Sequence, residues 1–320
     1  SGDDKVIVYG DGNAVASGDG DDNIILKGSG NTAQAGAGND RVTAIGDGNT
    51  LDGGDGDDIV YARGHNNVLD GGAGDDDINA SGMRNTLIGR EGDDLITVSG
   101  YKNTVFAGED NDTVNASGIN WLYGESGDDT FNVTNGDGSI VEAGSGNDTV
   151  NAEISGGWIN GAEGDDSITV KGDNNFAIAG GDGNDSINVT GQGNVAITGG
   201  EGNDSIDVTG QGNVADGGAG NDTMVTDGNN VLNGGEGNDK MTLSGDHATA
   251  NAGDGNDIVN VIGNVNTANA GAGDDTLNVI GNANTANAGA GDDTLNVSGY
   301  ANTANAGDGD DTVNVSDNYH

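Results

Sequence analysis

The sequence contains no cysteine and no proline, and aromatic residues make up 3% of its 320 positions. Without cysteine, disulfide stapling and thiolate metal sites are excluded. The scarcity of aromatic residues excludes the thick apolar core of an ordinary globular domain of this length. Basic residues are also few, with nine Lys and Arg against 54 Asp and Glu and a formal charge of −45. No basic stripe can neutralise phosphates, which argues against nucleic acid as a partner and makes a cation the natural counter-charge. No apolar run approaches the roughly eighteen residues of a membrane span. No basic-plus-apolar leader opens the chain, as expected of a mature segment or a piece of something longer.

What the sequence does have is glycine, 64 residues of it, together with 32% apolar residues. Such bulk statistics read as disorder unless glycines and acids keep a register, which low-complexity disorder has no reason to do. They do keep one. Aligning the second acid of each G-x-[DN]-D-like group gives Asp4, Asp22, Asp40, Asp58, Asp76, Asp94, Asp112, Asp129, Asp148, Asp166, Asp185, Asp204, Asp222, Asp239, Asp257, Asp275, Asp293 and Asp311, at intervals of 17, 18 or 19 residues. The repeats cover residues 1–320 with no visible boundary or linker, so a single continuous domain is expected.

Each repeat splits into two halves, both with a Gly-rich turn before a short alternating run, the period-two signal of a strand. The positions two and four residues after the ladder aspartate are apolar, as in Ile24 and Leu26, Ile96 and Val98, or Leu295 and Val297, and are expected to face inward. Between them stand Thr, Ser and Asn, expected to face water. The second-half strands alternate likewise with smaller inward residues, such as Ala268 and Ala270. The pattern predicts an all-β, right-handed parallel β-solenoid of about 18 coils of about 18 residues, with two parallel sheets and a thin core, the strands stacking ~4.8 Å apart. Turn glycines permit positive φ and close coil-to-coil approach.

Stacking would set the ladder aspartates about 5 Å apart in a row, where like charges cost roughly 1 kcal/mol per neighbouring pair even in water. A hard cation held by carboxylates and turn carbonyls would turn this repulsion into attraction. An oxygen-only donor set selects Ca²⁺ over transition metals, and its flexible coordination favours Ca²⁺ over Mg²⁺.

The first half-repeat resembles the G-G-x-G-x-D-x-U-x nonapeptide of the RTX (repeats-in-toxin) calcium-binding β-roll. Full matches include Gly53 to Asp58, Gly180 to Asp185, Gly199 to Asp204 and Gly217 to Asp222. The resemblance implies calcium wedged between the turns of adjacent coils, with the ladder aspartates and turn carbonyls as ligands. It also implies a bacterial protein secreted unfolded, working outside the cell or on its surface. The second half departs from the family pattern, carrying G-x-x-N at Gly82 to Asn85, Gly100 to Asn103, Gly172 to Asn175, Gly191 to Asn194, Gly210 to Asn213, Gly263 to Asn266 and Gly299 to Asn302. Asparagine supplies no charge, so this edge is expected to be a hydrogen-bonded Asn ladder without metal, leaving a one-sided calcium row. About seventeen inter-coil ions would move the formal charge from −45 to about −11. Such one-sided rows are similar to calcium-loaded solenoid regions of bacterial giant adhesins.

Catalysis finds little support. His65, His247 and His320 are scattered, and the paired acids belong to the metal row rather than to a glycosidase. The expected function is a non-enzymatic extracellular calcium-rigidified rod: a spacer, an adhesin region or a self-assembling filament subunit. Ile88, Phe106, Trp121, Tyr123, Trp158, Phe176, Ile178, Val195 and Ile197 fall at outward or phase-shifted positions, a candidate apolar patch for self-association or a site of local core repacking. Thr-x-Asn rows in the last repeats, such as Thr267 with Asn269 and Thr285 with Asn287, suit exposed strands and also resemble ice-binding solenoids, so ice or a polysaccharide is the alternative ligand. Neither end shows a cap, as expected either of an excised or proteolysed piece of a longer repeat protein or of ends that stack on one another.

Overall fold

The computed structural model describes residues 2–316, so His320 lies outside the described residues. Every regular element among them is a strand, and no helix is long and apolar enough to cross a membrane. The chain divides into two compact units, residues 1–161 and 162–320, each a parallel β-solenoid.

In the first unit, nine described strands from Lys5–Tyr9 to Thr149–Glu153 pair in parallel as one sheet. Eight more, from Ala14–Asp19 to Ile140–Ser145, form the second sheet. The chain alternates between sheets, so each strand pairs with the next but one: Lys5 faces Asn23, and Asn23 faces Arg41. The second unit repeats this plan, with nine described strands from Ser167–Lys171 to Thr312–Ser316 opposite eight from Ala177–Asp182 to Thr303–Asp308.

In-register stacking turns the period-two pattern into columns. Ile24, Val42, Val60, Ile78, Ile96, Val114, Phe131 and Val150 form one inward column of the first unit, each 0% exposed, facing Leu51, Leu69, Leu87, Val105 and Leu122 from the other sheet. One layer of such side chains is all the core there is, which is why few apolar residues suffice. Outward positions stack like on like, and Asn132 donates from Nδ2 to Asn115 Oδ1 at 3.1 Å.

The second motif glycine is demanded by this spacing. Gly54 has φ +119°, and a Cβ there would meet the Gly36 carbonyl of the preceding coil at under 3.0 Å. Arg90 and Glu125 occupy the same motif position with φ of 95° and 79°, a strained conformation for a side-chain-bearing residue.

Of the two alternatives for the candidate apolar residues, core repacking holds for Ile178 and Ile197 in the second unit. Ile178 and Ile197 are core residues, 0% and 1% exposed, because both lie in 19-residue windings whose extra residue shifts the strand phase. Phe176 and Val195, just before them, take the outward places at 69% and 59% exposure. In the first unit Ile88, Phe106 and Tyr123 are register neighbours on the outer face, with Phe106 stacked on Tyr123 at a 5.2 Å centroid distance.

Candidate metal centre

Each ladder aspartate ends a Gly-rich turn and immediately precedes a first-sheet strand, as Asp58 precedes Ile59–Arg63. The positive-φ glycines turn the chain so that this side chain points inward, and Asp22 to Asp293 are each buried to 2% exposure or less. In the first unit the Oδ1 atoms of Asp22, Asp40, Asp58, Asp76, Asp94, Asp112, Asp129 and Asp148 each accept the backbone N–H of the preceding ladder aspartate, at 2.6–2.8 Å. In the second unit Asp185, Asp204, Asp222, Asp239, Asp257, Asp275, Asp293 and Asp311 do the same at 2.8–3.0 Å, starting from the N–H of Asp166. Thus each unit brings its sequence-predicted aspartates together in a line along one edge.

The second carboxylate oxygen is the anomaly. Oδ2 of Asp22, Asp40, Asp58, Asp76, Asp94, Asp112 and Asp129 in the first unit, and of Asp185, Asp204, Asp222, Asp239, Asp257, Asp275 and Asp293 in the second, is buried without a hydrogen-bond partner. Buried polar atoms are ordinarily paired, and an orphan costs about 1–3 kcal/mol.

The opposite edge shows what a satisfied ladder looks like. Asn49 donates both its N–H and its Nδ2 to Asn67 Oδ1, at 2.8 and 3.2 Å, and Asn67 repeats this on Asn85. In the second unit Asn175 bonds Asn194, which bonds Asn213. The predicted Asn ladder is therefore present, and its spare amide also reaches turn carbonyls, as from Asn85 to Gly64 O at 3.1 Å. Ser139 holds the ladder position in one coil, accepting the Asn120 N–H through Oγ, and Ala248 holds it in another. The two edges have the same backbone logic. They differ in that the amide carries a donor where the carboxylate carries a bare oxygen.

Electrostatics points the same way. Desolvation by burial, augmented by neighbouring aspartates, lifts the Asp58, Asp76 and Asp94 carboxyls to about 7 and Asp112 to about 8, against the lowering effect of the backbone N–H bond. Asp185, Asp239 and Asp275 in the second unit also rise to about 7 for the same leading reason. A row so buried is stable only with its charge removed or matched.

The space beside Oδ2 is built from glycine. A Cβ on Gly53 would lie under 3.0 Å from both Asp58 Oδ2 and the Gly71 carbonyl of the next coil. The same pairing of carboxylate and next-coil carbonyl borders Gly89, Gly124, Gly199, Gly217 and Gly234. Among the described residues no three His, Cys, Asp or Glu side chains converge on one point. A cation on this edge would therefore take one or two carboxylates and complete its shell with main-chain carbonyls, a hard, flexible oxygen set that fits Ca²⁺.

The acid or amide just before each ladder residue, which the sequence pairs with it in the metal row, has its own task. Asp57 accepts the Asp75 N–H through Oδ1 at 3.2 Å, and Asp75 accepts that of Asp93 at 3.0 Å. This exposed outer row bonds toward the following coil while the buried row bonds toward the preceding one. Its legible signal was the restriction of that position to Asp or Asn in every coil.

The RTX calcium-binding nonapeptide repeat, described in four copies, matches residues 45–78, 88–118, 116–140, 198–228, 208–241, 216–250, 224–261 and 281–317, more than half of the chain. No curated protein matches the chain. With the glycine turns, the inward aspartates and this match together, the chain belongs to the RTX calcium-binding nonapeptide repeat family.

Proposed function

We propose that this chain is a non-catalytic, extracellular structural segment of a bacterial protein whose fold is completed by calcium along the aspartate edge. The observation that carries the reading is the contrast between the edges: Asn pairs satisfy one, while the other leaves a buried carboxylate oxygen in coil after coil. Bound calcium supplies the positive charge this row lacks. Ladder aspartates hold it, and Oδ1 of residues such as Asp58 and Asp222 keeps the coil register by accepting the N–H of the preceding ladder aspartate. Because the site exists only when coils are stacked, binding and folding are one event. Calcium is plentiful outside the cell, so a chain of this kind stays unfolded during export and sets afterwards, which suits a spacer, an adhesin region or a matrix subunit. Far-UV circular dichroism during a calcium titration from EDTA tests this: a cooperative gain of β-structure is expected, and a spectrum indifferent to calcium would reject it.

A second reading, an ice-binding face, is favoured by the in-register threonines Thr249, Thr267, Thr285 and Thr303 of the second unit. The asparagines beside them are already bonded to one another, as Asn269 to Asn251 at 2.8 Å, which leaves the threonine hydroxyls and methyls to face water. Thermal hysteresis of the calcium-loaded protein decides between the readings.

A further inference from the structure

The position five residues before each ladder aspartate is not uniform. Glycine stands there before Asp58, Asp76, Asp94, Asp129, Asp166, Asp185, Asp204, Asp222 and Asp239. Alanine stands there before Asp40, Asp112 and Asp148 in the first unit, and before Asp257, Asp275, Asp293 and Asp311 in the second. Serine, Ser17, precedes Asp22.

In the coils of Gly53, Gly89, Gly124, Gly199, Gly217 and Gly234 a missing methyl is what lets the oxygens meet. Asp222 Oδ2 and the Gly234 carbonyl both border the point where a Cβ on Gly217 would lie, and so sit less than about 5 Å apart. Two oxygens bound to one Ca²⁺ at ~2.4 Å are separated by no more than that. In the alanine coils the methyl is present and points inward, with Ala35, Ala107, Ala143, Ala252, Ala270 and Ala288 all buried. Real Cβ atoms do not approach other heavy atoms under 3.0 Å. Carboxylate and carbonyl are therefore held off the place they share in the glycine coils.

We propose that the calcium row is interrupted: glycine coils hold calcium, and alanine coils exclude it by the methyl group beside the aspartate. This rests on the calcium reading above and sharpens it. The first unit then carries a run at Asp58, Asp76 and Asp94, a gap at Asp112, and a further site at Asp129. The second carries sites at Asp185, Asp204, Asp222 and Asp239 and none from Asp257 onward. Its last coils, where Oδ2 of Asp257, Asp275 and Asp293 stays unmatched, would gain no direct support from the ion and be the weakest part of the unit.

The test is bound calcium per full-length chain, measured by equilibrium dialysis and native mass spectrometry, with hydrogen exchange as a second readout. About eight ions are expected within the two units, rather than the roughly seventeen that the number of coils suggests. Ala270→Gly should add one ion and the Ala270→Gly, Ala288→Gly pair two. These variants copy the residue other coils carry, so they should fold. Calcium should protect amides in 180–240 more strongly than those in 258–316. Near seventeen ions in the parent chain, unchanged counts in both variants, or uniform protection would overturn the interrupted row while leaving the calcium reading intact. A folded chain that binds no calcium would overturn both.

Discussion

The opposed ladders predict that calcium dependence can be removed by amidation of the aspartate edge. In Asp58→Asn, Oδ1 still accepts the Asp40 N–H, now seen at 2.7 Å, while Nδ2 takes the place of the orphaned Oδ2 beside the Gly71 carbonyl. Each such change removes a buried unpaired oxygen, about 1–3 kcal/mol. The rise of the carboxyl from 3.8 to about 7 sets a ceiling near 4 kcal/mol at alkaline pH, at ~1.4 kcal/mol per unit. Combining Asp58→Asn, Asp76→Asn, Asp94→Asn and Asp112→Asn should gain several kcal/mol in the absence of calcium, with departures from additivity because the four are ladder neighbours. The assay is urea unfolding by far-UV circular dichroism at pH 8, in EDTA and in calcium. The quadruple variant should keep first-unit β-structure in EDTA that the parent loses, and should gain less from calcium than the parent does. A variant that remains unfolded in EDTA and needs the same calcium as the parent would refute the reasoning.

Three further outcomes follow from the same geometry. Because folded-state carboxyls such as Asp76 and Asp239 titrate near 7 against 3.8 unfolded, the native state binds more protons between these values. The penalty is absent below about pH 4 and complete above about pH 7, so calcium-free β-structure in EDTA should persist at pH 5 and disappear by pH 8, read by circular dichroism. Asn67→Ala deprives the Asn49 N–H and Nδ2 of their shared acceptor and should lower stability in saturating calcium by about 1–3 kcal/mol, measured by urea midpoint, with no change in bound ions. Glu125→Gly restores the motif glycine at a φ of 79° and should raise the urea midpoint by an amount equivalent to about 1–2 kcal/mol, whereas Gly54→Ala drives a methyl into the Gly36 carbonyl and should lower it.

Most of the architecture was legible because a solenoid repeats its physics. The alternation Ile24, Leu26 and the phase of Asp22 recur often enough that inward faces, parallel pairing and both edges could be read from residue types alone. The Asn ladder was legible for the same reason, since an amide at a fixed phase can both donate and accept. The sequence left alternatives open where the period slips: Ile178 and Ile197 could be outward or repacked into the core because one inserted residue reverses the phase of a strand, and the three-dimensional register shows where the chain absorbs it. Nor could residue types reveal that the ladder carboxylates are buried with one oxygen bonded and the other bare. A Gly-Asp-Asp turn on the page places two acids side by side, and the fold sends the Asp75 carboxylate outward to the Asp93 N–H of the following coil and the Asp76 carboxylate inward to the Asp58 N–H of the preceding one.

The measurement closest to the central claim is anomalous scattering from crystals of the calcium-loaded protein. Density for calcium should appear on the aspartate edge against Oδ2 of residues such as Asp58 and Asp222, with none along the Asn edge. Calcium found only on the exposed outer acids, or no calcium in a folded chain, would contradict the account.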